Sequence, residues 1–398
     1  MPQGDAGLDD WLGYLESLHA SEMELGLDRV MVVYRRLLPE GLTGRVVIIG
    51  GTNGKGSTLA ALESLLRCGG HSTGAYTSPH IRRFNERIRI DGVEATDAAI
   101  CRAMAAVERA RRNVPLTYFE FTTLAAFWLF QEAGVAYPLL EVGLGGRLDA
   151  VNVADPVLSI ITGVDLDHTQ WLGTDREQIG YEKAGILRAG LPALFGDPDP
   201  PASVTDQAAA QGIPLCIRGR DFGGDDGDNG LSASQQTALA ACTMLGFEAG
   251  PEALATLRET PAPPGRFQRL DGAPPVILDV GHNPQAARWL ARRLTEIPEK
   301  PVQAVYGAMG DKDLEGVAGA LADAIDGWHL APLPGPRGLT AQQVNDRISG
   351  VIPDDRIQTT PSVREALASA REAAGRGGCV LVFGSFLTVS EALAVLGS

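Results

Sequence analysis

Two patterns of hydrophobic positions alternate along this chain. Between segments with helical period, such as 57–68, 121–134 and 366–376, lie short unbroken apolar runs that end in glycine or a polar turn. Six runs are of this kind: 45–50, 138–143, 157–162, 275–281, 302–307 and 379–384. Unbroken apolar strands that alternate with amphipathic helices indicate parallel sheets covered on both faces. The pattern therefore predicts an α/β protein.

The length and one proline-rich stretch predict two domains. A chain of 398 residues exceeds what one ordinary hydrophobic core holds. The segment "TPAPPGR" at 260–266 is the best linker candidate because proline and glycine interrupt regular structure. We expect a larger domain over 1–262 and a smaller α/β domain over 266–398. The Gly/Asp-rich stretch 219–234 predicts a loop.

Composition narrows the functional class. A formal net charge of -15 argues against general nucleic-acid binding, since phosphates need a broad basic surface. The polar N-terminus lacks the order of a signal peptide, and we find no apolar run long enough to span a bilayer. Five scattered cysteines without C-x-x-C spacing indicate reduced thiols. We expect a cytoplasmic protein that binds neither membrane nor nucleic acid.

A glycine-rich loop follows the first apolar run in "VVIIGGTNGKGSTLAAL" (46–62). Strand, glycine turn, lysine and helix N-terminus together favour phosphate binding, with Lys55 as a point charge. The spacing departs from a strict P-loop, because Gly56 separates Lys55 from the first hydroxyl, Ser57. Ser57 or Thr58 could offer a hydroxyl to Mg²⁺. A tight turn with a surface lysine is the weaker alternative.

The next stretch, 76–92, is rich in arginine and hydroxyl residues. Alone it could be a solvated basic hairpin. Directly after a phosphate loop, it is better interpreted as a mobile loop that meets the phosphates or an anionic substrate.

Polar residues follow two further predicted strands. Glu141 ends one apolar run, and Asp165, Asp167 and His168 follow the next. The carboxyl ends of strands line the ligand crevice of open α/β sheets, and Mg²⁺ prefers oxygen donors. A structural hydrogen-bonding histidine is an equal alternative for His168. Lys183 lies among small and apolar residues that could lower its pKa by desolvation, although a surface lysine paired with Glu182 is the simpler reading.

Seven motifs in order resemble one family of ligases. They are "GGTNGKGST", "YTSPH…RFNERIRIDG", "EVGLGGRLDAVN", "DLDHTQWLG…IGYEKAGI", "PGRFQ", "LDVGHNP" and "VFGSFLTVSEAL". Together they resemble the folylpolyglutamate synthases, particularly the bacterial bifunctional dihydrofolate synthase/folylpolyglutamate synthases of the Mur ligase superfamily. The resemblance runs from about 24–30 to the C-terminus. It implies a P-loop-type parallel-sheet ATPase domain, a smaller C-terminal Rossmann-like domain that binds glutamate, and a monomer.

The resemblance also implies a reaction and its residues. The substrates would be ATP with Mg²⁺, L-glutamate, and dihydropteroate or a reduced folate, joined through an acyl phosphate. The ATP contacts would be Asn53, Gly54, Lys55, Gly56, Ser57, Thr58, Arg266 and Asp279. The metal ligands would be Ser57, Ser78, Glu141, His168 and a carbamylated Lys183. The pterin contacts would be Thr117, Tyr118, Phe119, Glu120, Leu148, Asp149 and Ala150, with His282 at the incoming glutamate. Lys55, Lys183, His168 and His282 would be the catalytic group.

One region departs from the family pattern. Before the linker the family has further strands and an asparagine that touches the nucleotide, whereas this chain is short and glycine-rich there, with Ser234 at the asparagine position. Two other functions stay open. Another Mur-type amide ligase is disfavoured because we find no N-terminal domain for a UDP moiety. A nucleotide-binding regulatory protein without catalysis is disfavoured by the second set of metal-ligand candidates.

Overall fold

The computed structural model describes residues 2, 6–18, 24–225 and 230–397. The chain forms two compact units: 1–164 with 175–261, and 165–174 with 262–398. The predicted first domain, 1–262, included 165–174, whereas the structure groups this short segment with the C-terminal unit. The chain therefore passes from one unit to the other at three positions, not only at the predicted linker.

The first unit is built on a mixed sheet. Among the described residues its strands, in the order β4-β3-β2-β5-β1-β6-β7-β8, number eight. They are β1 (Val47–Gly50), β2 (Thr73–Tyr76), β3 (Ile88–Ile90), β4 (Val93–Glu94), β5 (Tyr137–Glu141), β6 (Leu158–Ile161), β7 (Ala193–Phe195) and β8 (Leu215–Ile217). The strands from β2 to β8 in this order pair in parallel, and β3 and β4 add an antiparallel edge. The neighbouring strands β5, β1 and β6 thus have their carboxyl ends on the same side of the sheet. Their last residues are Glu141, Gly50 and Ile161.

Helices surround this sheet. They are α1 (Leu8–Leu18), α2 (Asp28–Leu37), α3 (Lys55–Cys68), α4 (Asp97–Arg111), α5 (Tyr118–Ala133), α7 (Arg176–Ala184), α8 (Ala202–Ala210), α9 (Ala233–Met244) and α10 (Pro251–Glu259), with α6 in the other unit. The helical segment predicted over 57–68 lies within α3, and its residues Leu59, Leu62, Leu65 and Leu66 are buried. They share a core with apolar residues of α9 and of the central strands. Burial of these leucines fixes the position of α3 against the sheet, and thereby that of the glycine loop at its N-terminus.

The second unit repeats the architecture on a smaller scale. Its strands lie in the order β13-β12-β11-β14-β10-β9, with β9 antiparallel to β10. They are β9 (Gln268–Leu270), β10 (Val276–Asp279), β11 (Val302–Tyr306), β12 (Gly327–Leu330), β13 (Ile357–Thr359) and β14 (Cys379–Phe383). The helices are α6 (Thr169–Leu172), α11 (Pro284–Thr295), α12 (Leu314–Leu321), α13 (Ala341–Ile348), α14 (Val363–Ala374) and α15 (Phe386–Leu396). Tyr306, Trp328 and Phe383 pack together in its core.

The predicted α/β class is confirmed. Each of the six apolar runs contains a strand that pairs in parallel with a neighbour. The antiparallel edges β3–β4 and β9 were not predicted, because short polar edge strands carry no unbroken apolar run. No helix of the described part of the chain is long and apolar enough to cross a membrane.

Candidate active site

Two glycines shape the loop between β1 and α3. Gly51 has φ +140°, and a Cβ there would lie 1.9 Å from the Thr162 hydroxyl. Gly54 has φ +86° and is the N-cap of α3, without a side-chain cap. Glycine adopts such backbone conformations at no steric cost. The loop therefore brings its backbone close to β6 and leads into the N-terminus of α3, the end of a helix that favours anions.

Side chains close this loop from two sides. The Lys55 ammonium donates to the carbonyl oxygens of Gly51 and Thr52, at 3.1 and 3.2 Å. The Thr162 hydroxyl donates to the carbonyl of Asn53 at 2.6 Å. In the first turns of α3, Ser57 is half-buried, and the buried Thr58 hydroxyl has no hydrogen-bond partner among the described residues. The arrangement is that of a phosphate loop with a lysine folded across it.

A carboxylate faces the start of the same helix. A Cβ on Gly56 would lie 3.6 Å from Glu141 Oε2, and this oxygen accepts a hydrogen bond from the Ser78 amide at 3.3 Å. Glu141 is buried. A buried anion beside a phosphate-binding helix N-terminus would repel phosphates unless a cation lay between them. Because carboxylate and hydroxyl oxygens are the donors that Mg²⁺ and Mn²⁺ prefer, these residues fit a divalent cation.

The other two predicted metal ligands, Lys183 and His168, belong to different units of the chain. Lys183 lies near the end of α7 and is buried, and Glu182 pairs with Arg147 at 2.8 Å. Lys183 is therefore not the surface residue that the simpler interpretation expected. His168 belongs to the second unit through the 165–174 segment.

The stretch 76–92 folds differently from the predicted loop. It contains a 3₁₀ turn over Phe84–Arg87 and the strand β3, and β4 follows directly after it. The Glu86 carboxylate accepts hydrogen bonds from three successive amides, those of residues 81–83, each at 2.7 Å. Arg87 donates to His80 Nδ1 at 2.8 Å and stacks over the rings of Phe84 and Tyr118. Burial, reinforced by the charge of Arg87, lowers the pKa of His80 to about 4.

Thr117 and Glu120, two predicted pterin contacts, have structural partners. They form the capping box of α5, in which Glu120 also accepts a hydrogen bond from Arg29 Nε at 2.9 Å. Glu120 Oε1 is buried without a hydrogen-bond partner in the described residues. Tyr118 and Phe119, between them, are half-buried. They are therefore the members of this segment with surface to offer a ligand.

The second predicted pterin segment, Leu148–Ala150, lies in the turn after Glu141. Asp149 accepts hydrogen bonds from the amides of Leu144 and Val151, at 2.9 and 3.0 Å. Burial raises the pKa of Asp149 to about 6, against the opposing effect of these bonds. Leu148 is half-buried and Ala150 is buried. Asp149 thus orders the turn in which a substrate contact was predicted.

The region that departs from the family pattern borders the phosphate loop. A Cβ on Gly54 would lie 3.5 Å from the Ser234 hydroxyl, which is near the N-terminus of α9. The preceding loop is held by buried side chains: Arg218 donates to the carbonyl of Gly196, and Gln236 donates to those of Asp225 and Leu231. Residues 226–229 of the predicted 219–234 loop lie outside the described residues. Ser234 is thus beside the nucleotide loop despite the shorter chain.

The second unit places its predicted ATP contacts at the end of β10. Asp279 is buried and accepts hydrogen bonds from the amides of Phe267 and Gly281, at 2.8 and 2.7 Å. Burial raises its pKa, while the nearby Arg266 charge acts in the opposite direction. The Arg266 guanidinium lies 5.3 Å from the centre of the Phe386 ring.

The predicted glutamate-binding residue is part of a charged cluster. His282 Nδ1 lies 2.8 Å from the carbonyl of Val280, and Nε2 lies 3.2 Å from Asp167 Oδ2. The Lys312 ammonium donates to Asp167 Oδ1 at 2.5 Å. Burial opposes ionisation of Asp167, but the bond from His282 and the charges of His282 and Lys312 outweigh it and hold the pKa of Asp167 far below its ordinary value.

Thr162 and Lys312 were not predicted as site residues. Thr162 is an ordinary strand-end threonine in the sequence, and only the pairing of β1 with β6 brings it to the loop. Lys312 had a usable signal, because "GDKD" (310–313) follows the buried strand β11. A polar group after a buried strand is the pattern that singled out Glu141 and His168.

Comparison with known proteins identifies the family of this chain. Residues 265–386 match the family model "Mur ligase, glutamate ligase domain". The dihydrofolate synthase/folylpolyglutamate synthase of Escherichia coli (strain K12) is 40% identical over 414 residues, which cover 99% of this chain and 97% of that protein. The chain belongs to the dihydrofolate synthase/folylpolyglutamate synthase family. The predicted family is confirmed.

Solved structures of this family agree over the whole chain. E. coli FolC in complex with DHPP and ADP has a TM-score of 0.93 at 40% identity, covering 100% of this chain and 99% of that one. The Yersinia pestis bifunctional folylpolyglutamate synthase/dihydrofolate synthase, complexed with AMPPNP and Mn ion, has a TM-score of 0.93 at 40% identity and full coverage of both chains. Members of this family are ligases.

Proposed function

We propose that this chain is an ATP-dependent ligase that adds L-glutamate to a pterin-containing acid: dihydropteroate, a reduced folate or both. The observation that carries the proposal is the buried Glu141 carboxylate beside the first turn of α3, where phosphates would bind. A carboxylate in this place suits a cation shared with a nucleoside triphosphate. Family membership supports the choice of acid and amine.

The residues have distinct proposed roles. The amides from Asn53 to Thr58, with the Lys55 ammonium, bind the phosphates, and Arg266 and Asp279 are further ATP contacts. Ser57, Ser78, Glu141 and His168 hold Mg²⁺, together with Lys183 once its neutral amine has taken up CO₂ as a carbamate. Burial of Lys183 favours this neutral amine. When bound, Mg²⁺ neutralises the charge of the phosphates.

The proposed reaction has two steps. A carboxylate oxygen of the acid attacks the γ-phosphorus of ATP, the bond to the β-phosphate oxygen breaks, and ADP and an acyl phosphate form. The amino nitrogen of L-glutamate then attacks the acyl carbon, and the tetrahedral intermediate expels phosphate and loses a proton. Both steps depend on orientation and on neutralised charge. Lys55 supplies positive charge at the phosphates, and His282 positions glutamate.

Four ADP-release assays test the proposal: dihydropteroate or tetrahydrofolate as the acid, each with and without L-glutamate. Glutamate-dependent ADP release with at least one acid supports the ligase and shows which activity is present. No glutamate-dependent turnover with either acid would favour the nucleotide-binding regulatory protein. The monomeric state and cytoplasmic location remain proposals that rest on the family resemblance and the scattered cysteines.

A further inference from the structure

The segment 165–174 lies between two stretches of the first unit in sequence, yet it packs with the second unit. The Asp167 carboxylate makes several of its contacts with that unit. Oδ1 accepts a hydrogen bond from Lys312 at 2.5 Å, and Oδ2 lies 3.2 Å from both His282 Nε2 and Asn283 Nδ2. The side chains of Asp167 and Lys312 are only 9% and 7% exposed. One carboxylate thus joins the segment to the loops that follow two strands, β10 and β11.

A metal ion is not the best occupant of this cluster. Ligand atoms of Asp167, His168 and His282 do lie within 4.8 Å of one another. Lys312, however, already donates to the carboxylate, so a metal on Asp167 would have to displace a buried ammonium. The cluster is better explained as an anchor between parts of the chain.

The anchor also determines the backbone at His168. Asp167 Oδ1 accepts a hydrogen bond from the His168 amide at 2.8 Å. His168 has φ 51° and ψ 39°, a left-handed conformation that costs energy for any residue with a Cβ. Its carbonyl accepts hydrogen bonds from the amides of Trp171 and Leu172, which start α6. Losing the Asp167 contact would therefore release a strained residue and the short helix after it.

We propose that Asp167 and Lys312 are positioning residues: their buried ion pair fixes the segment 165–174 on the C-terminal unit and thereby sets the places of His168 and His282. This inference rests on the proposed function only for its catalytic consequence. The anchor itself is a property of the folded chain and can be measured without turnover.

Hydrogen exchange on the full-length enzyme tests the anchor. Lys312→Met and Asp167→Asn should each speed amide exchange in 169–174 by about tenfold or more, because local opening follows the contacts that hold a segment. Lys312→Arg, which keeps the charge, should restore most of the protection. The double variant Asp167→Asn/Lys312→Met removes both charges and leaves neither one unpaired. If a single variant fails to fold, the double variant should show the same faster amide exchange in 169–174.

Arg288→Ala is the matched control. Arg288 pairs with Asp165 of the same segment at 3.0 Å, but its side chain is 57% exposed. Exposed ion pairs contribute little, so this variant should leave exchange in 169–174 within about twofold of the unchanged protein.

Steady-state kinetics tests the consequence. The anchor variants should raise KM for L-glutamate by about tenfold or more while KM for ATP changes less than about threefold, since His282 is displaced and the phosphate loop is not. Unchanged exchange in both single variants would overturn the anchor. So would a glutamate defect in Lys312→Met without one in Asp167→Asn, which would make Lys312 a direct substrate contact. Absence of glutamate-dependent ADP release in the unchanged enzyme would instead contradict the proposed function, and the exchange result would still decide the anchor.

Discussion

The hydroxyl of Thr162 donates a 2.6 Å hydrogen bond to the carbonyl of Asn53, so the end of β6 holds the phosphate loop from the side. Thr162→Val keeps the shape of the side chain and removes this bond. An intramolecular hydrogen bond contributes about 0.5–1.5 kcal/mol, so ADP affinity should fall by roughly 2- to 12-fold in calorimetric titration. Thr243→Val is the control, because the Thr243 hydroxyl bonds to the Leu239 carbonyl within exposed α9 surface. Equal affinities in both variants would show that the loop does not need Thr162.

Lys55 is the only lysine of the phosphate loop, and its ammonium lies over the loop carbonyls. Lys55→Ala should lower the rate of ATP-dependent glutamate addition by about 100-fold or more, because a charge that stabilises the transferred phosphoryl group is lost. Far-ultraviolet circular dichroism and the melting temperature should stay unchanged. Lys300→Ala is the control, since Lys300 likewise donates to a backbone carbonyl, that of Leu294. Undiminished turnover in Lys55→Ala would contradict the assigned role.

Glu141→Gln tests the divalent cation. Glutamine can keep the hydrogen bond from the Ser78 amide but carries no charge, so the concentration of Mg²⁺ or Mn²⁺ for half-maximal nucleotide binding should rise by about tenfold or more. Titration of Mn²⁺ by electron paramagnetic resonance, with AMPPNP present, measures this without turnover. Glu94→Gln serves for comparison because Glu94 is more exposed and pairs with the exposed Arg83. Identical metal titrations for Glu141→Gln and the unchanged protein would exclude Glu141 as a ligand.

His80 should make stability depend on pH. Its pKa is lowered to about 4 in the folded protein, whereas an unfolded histidine has a pKa of about 6.5. Folding therefore favours the neutral ring, so this contribution is fully present above about pH 6.5 and is lost as the pH falls towards 4.

His80→Gln separates this effect from other titrating groups. Glutamine can still accept the hydrogen bond from Arg87 but does not titrate. The free energy of unfolding of the unchanged protein, minus that of the variant, should fall steadily as the pH is lowered through this window. Chemical denaturation of both proteins at matched pH values gives the difference. A constant difference would mean that His80 is not held neutral by the fold.

The central strands of both sheets could be predicted from the hydrophobic pattern alone. Strands such as β1, β5 and β14 are buried on both faces, so they appear as unbroken apolar runs whatever their neighbours are. The short antiparallel strands β3, β4 and β9 could not be predicted, because two or three residues that include polar and partly exposed positions form no such run.

The sequence by itself determined the family, through its motifs, and the candidate site residues: the glycine loop with Lys55, and Glu141 at a strand end. Only the tertiary structure decided which residues lie next to them. It places Glu141 beside Gly56, Thr162 against Asn53, and Lys312 on Asp167, across 145 residues of chain. Local spacing specifies strands, turns and helix ends, because those depend on neighbours along the chain. The strand order of each sheet decides which strand ends and turns lie next to one another. The packing of a short segment such as 165–174 cannot be predicted from its sequence, because it contains too few apolar residues.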